Sequence, residues 1–206
     1  MLKRDALLRI YKSFILPVLE YACEVWDGCS QADSEKLERA QLEAARIITG
    51  LPSYTRKEFL YFETELELLS DRRAKRNLQL LYKIKNNMTP SYLSNLLPPS
   101  VGNNNPYPLR NKDNFRIPNY RLSSTINSFF PSTLRNWNNL DDNVKSLSLS
   151  SFKLALSQPI STSLPCYYNY GERKFNIIHT KLRYKCSSLK DDLFRVNLAE
   201  DSICVN

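Results

Sequence analysis

Residues 70–87, "SDRRAKRNLQLLYKIKNN", decide how this chain is read. At about 100° per residue, Ala74, Leu78, Leu81 and Tyr82 share one side of a helix, with Leu80 and Ile84 extending its flank. Ser70 stands where a cap for the first turn belongs. Arg72, Lys75, Arg76 and Lys83 fall within about 100° of one another on the far side, and no acid of the helix stands among them. The pattern is an amphipathic helix. Its cations admit two readings. A face of one sign suits a polyanionic partner, whereas solvated faces usually mix signs. A merely solvated face is the bland alternative.

The preceding segment lacks that asymmetry. Asp33 or Ser34 can cap a helix that Gly50 closes. Leu37, Ala40, Ala44, Ala45, Ile47 and Ile48 share one side, and Glu35, Arg39, Glu43 and Arg46 the other, in mixed sign. Further upstream, a helix is expected from about Lys3 to Trp26, kinked or split at Pro17, with Leu8, Tyr11, Phe14, Ile15, Val18 and Leu19 as its apolar face. "TRKE", Thr55–Glu58, has the form of a capping box before a short third helix.

Downstream, Thr89 can cap and Pro90 can open a short helix that Pro98 and Pro99 end. Residues 101–127 are rich in Asn, Pro and Arg and read as a long loop with one or two short strands. Helices resume near Pro131 and near Ser150. A second linker spans 157–170. An amphipathic helix over 172–184 is expected to turn Phe175, Ile178 and Leu182 inward, and "SSLKDDLFRVNL" makes a last short helix. No strand–helix alternation and no internal repeat appear. The expected fold class is mainly α: a helical bundle over 1–100, a loop-rich segment with short helices over 101–160, and a helical segment over 161–206.

The chain has 206 residues and a formal net charge of +8. Residues 1–100 carry 15 Lys and Arg against 13 Asp and Glu, and residues 101–206 carry 14 against 8, so the later half is the basic one. That balance attracts phosphate backbones or anionic surfaces without choosing between them. The four glycines form no phosphate-cradling loop. The most apolar stretch, 6–26, contains Arg9, Lys12, Glu20 and Glu24, which argues against a membrane span. With no secretory pattern at the N-terminus, an intracellular protein of cytoplasm or nucleus is expected, with no membrane partner. Its cysteines, Cys23, Cys29, Cys166, Cys186 and Cys204, are then free thiols.

No catalytic constellation stands out. The single histidine, His179, has no nucleophile or orienting acid near it in sequence and reads as structural. Asp141-Asp142 lies in a polar turn. Asp191-Asp192 opens a short helix, where acids suit the positive end of the dipole. Neither pair has the apolar strand-turn setting of a two-metal site. Cys23 and Cys29 are too widely spaced for a usual zinc pair. No metal or cofactor is expected.

Several motifs share an order with one family. "YKSFILPVLEYACEVW" (11–26), "LERAQLEAARIITG" (37–50), "RRAKRNLQLLYKI" (72–84), "PSYL" (90–93), "YPLRN" (107–111), "SFFPSTLRNWNNL" (128–140), "SFK" (151–153), "IIHTKLR" (177–183) and "CSSLKDDLF" (186–194) resemble, in sequence, the C-terminal region of reverse transcriptases from non-LTR, LINE-type retrotransposons. Gln41, Ala45, Arg46 and Gly50 fall where that pattern has them, while Asp141 stands where the family often has proline. The palm with its paired catalytic aspartates, the fingers and an endonuclease have no counterpart here. The resemblance therefore implies a non-catalytic piece of an RNA-directed DNA polymerase from a mobile element, ending where a terminal zinc knuckle would begin.

In that family the helices after the palm act as a thumb holding template and primer. The resemblance thus implies phosphate contacts from Arg72, Lys75, Arg76 and Lys83 to an RNA or RNA–DNA duplex. Arg110 beside Tyr107, Arg116 beside Phe115 and Arg121 beside Tyr120 could add stacking on single strands, although local packing under a loop accounts equally for those aromatics. The alternative function is a helical protein-interaction domain or a decayed remnant. In that case the apolar face of Tyr11, Phe14, Ile15 and Val18 is one built to pack on the palm of a parent polymerase.

Overall fold

Pro17 sets the course of the first helix. A proline has no N–H to give to the carbonyl four residues back, and its ring crowds that carbonyl. In the computed structural model, which describes residues 2–104, 112–157 and 171–187 together with Leu189 and Asp192, the helix widens ahead of it. α1 (Arg4–Ile10) runs into a π turn over Tyr11–Ile15, where the Leu16 N–H donates to the Tyr11 carbonyl, and then into α2 (Leu16–Leu19). Ala22 takes a left-handed φ of 48° before α3 (Cys23–Trp26). The helix expected over 3–26, kinked or split at Pro17, thus widens at Tyr11–Ile15 and breaks at residues 20–22, after the proline rather than at it.

The π turn also changes which face is buried. Tyr11 and Leu16, five residues apart, are both covered, whereas Phe14, Ile15 and Val18 are exposed and Leu8 and Leu19 half-buried. A π turn brings positions five apart onto one side, so a face counted at the α-helical period drifts off the core after it.

α4 (Gln31–Thr49) begins earlier than expected. Ser30, not Asp33 or Ser34, closes its end: the Ser30 hydroxyl accepts the Asp33 N–H at 3.2 Å and donates to the Asp33 carboxylate at 2.7 Å. At the other end Gly50 takes φ 73° and its N–H donates to the Arg46 carbonyl at 2.7 Å, as its placement suggested. α5 (Lys57–Thr64) has no capping box. Arg56 is its N-cap without a side-chain bond, because Thr55 is buried and gives its hydroxyl to Cys186 Sγ at 3.8 Å. α6 (Leu69–Lys85) starts one residue before Ser70, which therefore lies inside the helix rather than capping it.

Short helices follow: α7 (Ser91–Ser94), a 3-10 turn over Val101–Asn104, α8 (Ser123–Ile126), α9 (Phe129–Asn138), α10 (Asp142–Lys145), α11 (Leu149–Leu156) and α12 (Arg173–Arg183). The fold is mainly α. Instead of short strands, the described part of 101–127 contributes one isolated bridge, between Ser100 and Phe115. Tyr107, Arg110, residues 158–170 and most of the last expected helix lie outside the described residues.

Contacts divide the chain into two compact units, each assembled from separate stretches of the sequence. One comprises Met1–Leu19, Lys36–Leu68 and Ile160–Asn206, the other Glu20–Glu35 and Leu69–Pro159. In the first, Ala45, Leu51, Leu60 and Cys186 form a small core with Leu42 and Tyr184 against it. In the second, Leu78, Leu81 and Tyr82 of α6 meet Leu134 and Trp137 of α9, Phe152 of α11 and Phe115. In that core the Trp137 indole N–H donates to the Asp113 carbonyl at 3.1 Å, and the Tyr82 hydroxyl donates to the Leu147 carbonyl at 2.6 Å, so neither of these buried aromatics leaves its polar atom without a partner.

α12 corrects a further expectation. Phe175, Ile178 and Leu182 are exposed. The buried side carries Thr180, with half-buried Asn176 and Ile177, because Ile177 fills the space that a Cβ on Gly50 would occupy and Arg173 reaches the Ile47 carbonyl. His179 is exposed on this helix rather than packed as a structural histidine.

Candidate nucleic-acid interface

An ionised carboxylate leaves water only with partners to replace it. Glu20 is 1% exposed, and its partners come from α6. Arg72 donates to it through Nε and, at 3.2 Å, through Nη2. Arg76 pairs with the same carboxylate at 3.0 Å and donates from Nη1 to the Glu20 carbonyl at 3.2 Å. Arg72 and Arg76 are four residues apart and so share one side of the helix, which lets one acid serve both.

A second acid works one position round. Asp27 accepts Arg73 Nε at 2.6 Å and Asn77 Nδ2 at 2.8 Å. Arg73 also donates to Ser34 Oγ at 2.8 Å, and its guanidinium lies 5.4 Å from the Trp26 ring centre. Arg73 and Asn77 are both buried. The inner side of α6 is therefore wider than the apolar pattern implies and includes a polar strip. Beside it the buried Cys23 thiol is pushed up to about 11, first by burial and then by the Glu24 charge, with Arg76 pulling partly the other way.

The four α6 cations thus differ in what holds them. The Arg72 and Arg76 side chains keep 34% and 42% of their surface in solvent while anchored on Glu20. Lys75 and Lys83 are half-buried on the same outer side. Arg116 and Arg121 are exposed in the irregular chain that follows the Ser100–Phe115 bridge. Phe115 is not a stacking partner for Arg116: it sits in the core, and the Asn138 amide binds both its N–H and its carbonyl at 2.9 Å. Tyr120 is half-buried. Arg110 and Tyr107 lie outside the described residues.

One acid of each acidic pair has other employment. Asp142 pairs with Lys145 at 2.8 Å, and Lys145 in turn donates to Asn114 Oδ1 at 2.7 Å. Asp192 accepts the Ser187 N–H at 3.1 Å and also its hydroxyl. Among the described residues no three His, Cys, Asp or Glu side chains gather as a metal site, and no helix is long and apolar enough to cross a membrane.

Glu20 and Asp27 are what sequence reasoning missed. The available signal was their setting, since both acids stand among the apolar residues of "VLEYACEVWD", as Glu24 also does, and a charge buried there without a partner is costly. Against known proteins the chain finds no counterpart: no family model matches it, and neither does a curated protein or a solved structure.

Proposed function

We propose that this chain is a non-catalytic nucleic-acid-holding module, of the thumb-like kind implied by its resemblance to the C-terminal region of non-LTR retrotransposon reverse transcriptases. It grips an RNA or RNA–DNA duplex by backbone contacts that fix position and carry little sequence information. The observation that carries the reading is the outer side of α6, where Arg72 and Arg76, anchored on the buried Glu20 carboxylate, share a side with the half-buried Lys75 and Lys83. Glu20 cancels part of that charge but also fixes two guanidiniums side by side, and a preordered cation loses less freedom when a phosphate arrives.

The test is fluorescence anisotropy of the purified chain with a labelled RNA–DNA hybrid over a range of salt. Log affinity should fall linearly with log salt, with a slope of about 0.9 per phosphate neutralised, hence about 2 to 4 for this face. A folded, monodisperse sample that does not bind at low salt overturns the reading.

A second reading is favoured by one observation. Phe14 and Val18 are 71% and 73% exposed on the α1–α2 run, with Ile15 beside them. In a helical protein-interaction module this surface packs on a partner, such as the palm of a parent polymerase. It predicts salt-insensitive association that Val18→Ser weakens.

A further inference from the structure

The unit that holds α5 and α12 contains a cavity of about 570 Å³, a size typical of small-molecule sites, which run to about 300–1,000 Å³. Its described walls come from two short stretches. Tyr54, Thr55, Arg56 and Phe59 lead into and begin α5, and residues 183–186 end α12. Three of these side chains are aromatic: Tyr54, 42% exposed, and Phe59 and Tyr184, whose rings stack at 4.5 Å. Three are exposed cations: Arg56, Arg183 and Lys185. No carboxylate is among the described lining residues.

The site is also built rather than incidental. Glu63, buried at 1% exposure, accepts Arg4 at 2.8 Å, Arg183 at 3.0 Å and the Tyr184 hydroxyl at 2.8 Å. That clasp fixes one cation and one aromatic of the cavity from behind. Arg183 is steadied further by the rings of Phe62 and Tyr184, each 5.7 Å from its guanidinium carbon. Lys185 takes a left-handed φ of 52° as part of the cap that ends α12, its N–H donating to the Leu182 carbonyl at 3.1 Å and the Cys186 N–H to the Lys181 carbonyl at 2.7 Å.

Aromatic faces beside exposed cations are the surroundings that an unpaired base and its phosphate require. We propose that this cavity takes one unpaired nucleotide of a single strand, its base stacked on Tyr54 and its phosphate held by Arg56, Arg183 and Lys185. The inference rests on the nucleic-acid-holding reading and adds to it a single-strand contact that the α6 face does not supply.

The experiment compares the full chain with Tyr54→Ala and with the double variant Arg56→Ala/Lys185→Ala, all of them exposed positions. Each is titrated with a labelled single-stranded RNA decamer and with the RNA–DNA hybrid. Single-strand affinity should fall about 5- to 150-fold in Tyr54→Ala, the range that one base–aromatic stack is worth, while hybrid affinity stays within twofold. Single-strand affinity unchanged in both variants, with the hybrid still bound, overturns the cavity assignment and leaves the α6 reading standing. Failure of the unaltered chain to bind either nucleic acid overturns both. Adenosine monophosphate should displace the decamer at concentrations where adenosine or inorganic phosphate does not. Equal displacement by inorganic phosphate, or stronger displacement by a phosphotyrosine peptide, contradicts recognition of a nucleotide.

Discussion

Glu20 gives up water for two guanidiniums, and each of those still faces solvent over a third or more of its side chain. Removing the carboxylate's charge leaves both cations on a wall made to neutralise them. We expect Glu20→Gln to lower stability by about 1 to 3 kcal/mol in urea unfolding, less than for a fully buried pair because solvent screens the arginines. Unaltered stability would contradict this account of Glu20.

Cys23 supplies a pH signature at the same scale. Its thiol ionises near 9.0 when unperturbed and is pushed to about 11 in the fold. Between those values the unfolded chain has lost a proton that the folded chain keeps. The stabilisation is therefore complete below pH 9 and is lost as pH rises toward 11. The Tyr61 hydroxyl, raised first by burial and then by its hydrogen bond to Glu38, adds a loss of the same sign above pH 10. Unfolding free energy measured from pH 8 to 11 should fall more steeply in the natural chain than in Cys23→Ala. Parallel curves would remove Cys23 from the account.

At the scale of elements, helix positions are largely legible and docking faces are not. The 3.6 period places α4, α6, α9, α11 and α12 within a few residues, because local propensity and end signals act within one turn. Which side faces inward depends on residues far away in sequence. Asp27 draws Arg73 and Asn77 inside α6. Ile177 against Gly50 turns Phe175, Ile178 and Leu182 of α12 outward. Cys186 takes the Thr55 hydroxyl from the capping box. Gly50 is the instructive case. Its role as a helix stop is plain from its place in the sequence, but its second role is to let Ile177 approach to 2.6 Å of where a Cβ would stand. Gly50→Ala should cost about 1 to 3 kcal/mol, from the left-handed backbone with the clash in addition. Thermal unfolding checks this, and an unchanged midpoint would contradict the packing of α12 on α4.

For the whole molecule, the claim that matters is that a basic surface grips a polyanion. Composition makes the case in bulk, with +8 on 206 residues. The structure redistributes that charge. Arg4, Arg72, Arg73, Arg76 and Lys145 hold the fold through buried or partly buried acids and amides. The candidate site was legible as a row of cations on α6, but the anchoring of Arg72 and Arg76 on Glu20 was not, since Glu20 lies 52 residues from Arg72. The most direct measurement is the salt dependence of hybrid binding by Lys75→Ala/Lys83→Ala beside the natural chain. If these lysines meet phosphates, affinity drops on every hybrid sequence alike, the log–log slope falls by about 2, and the thermal midpoint holds. If affinity and slope are both unchanged, the cations of α6 are a solvated face, and the grip assigned to this helix does not exist.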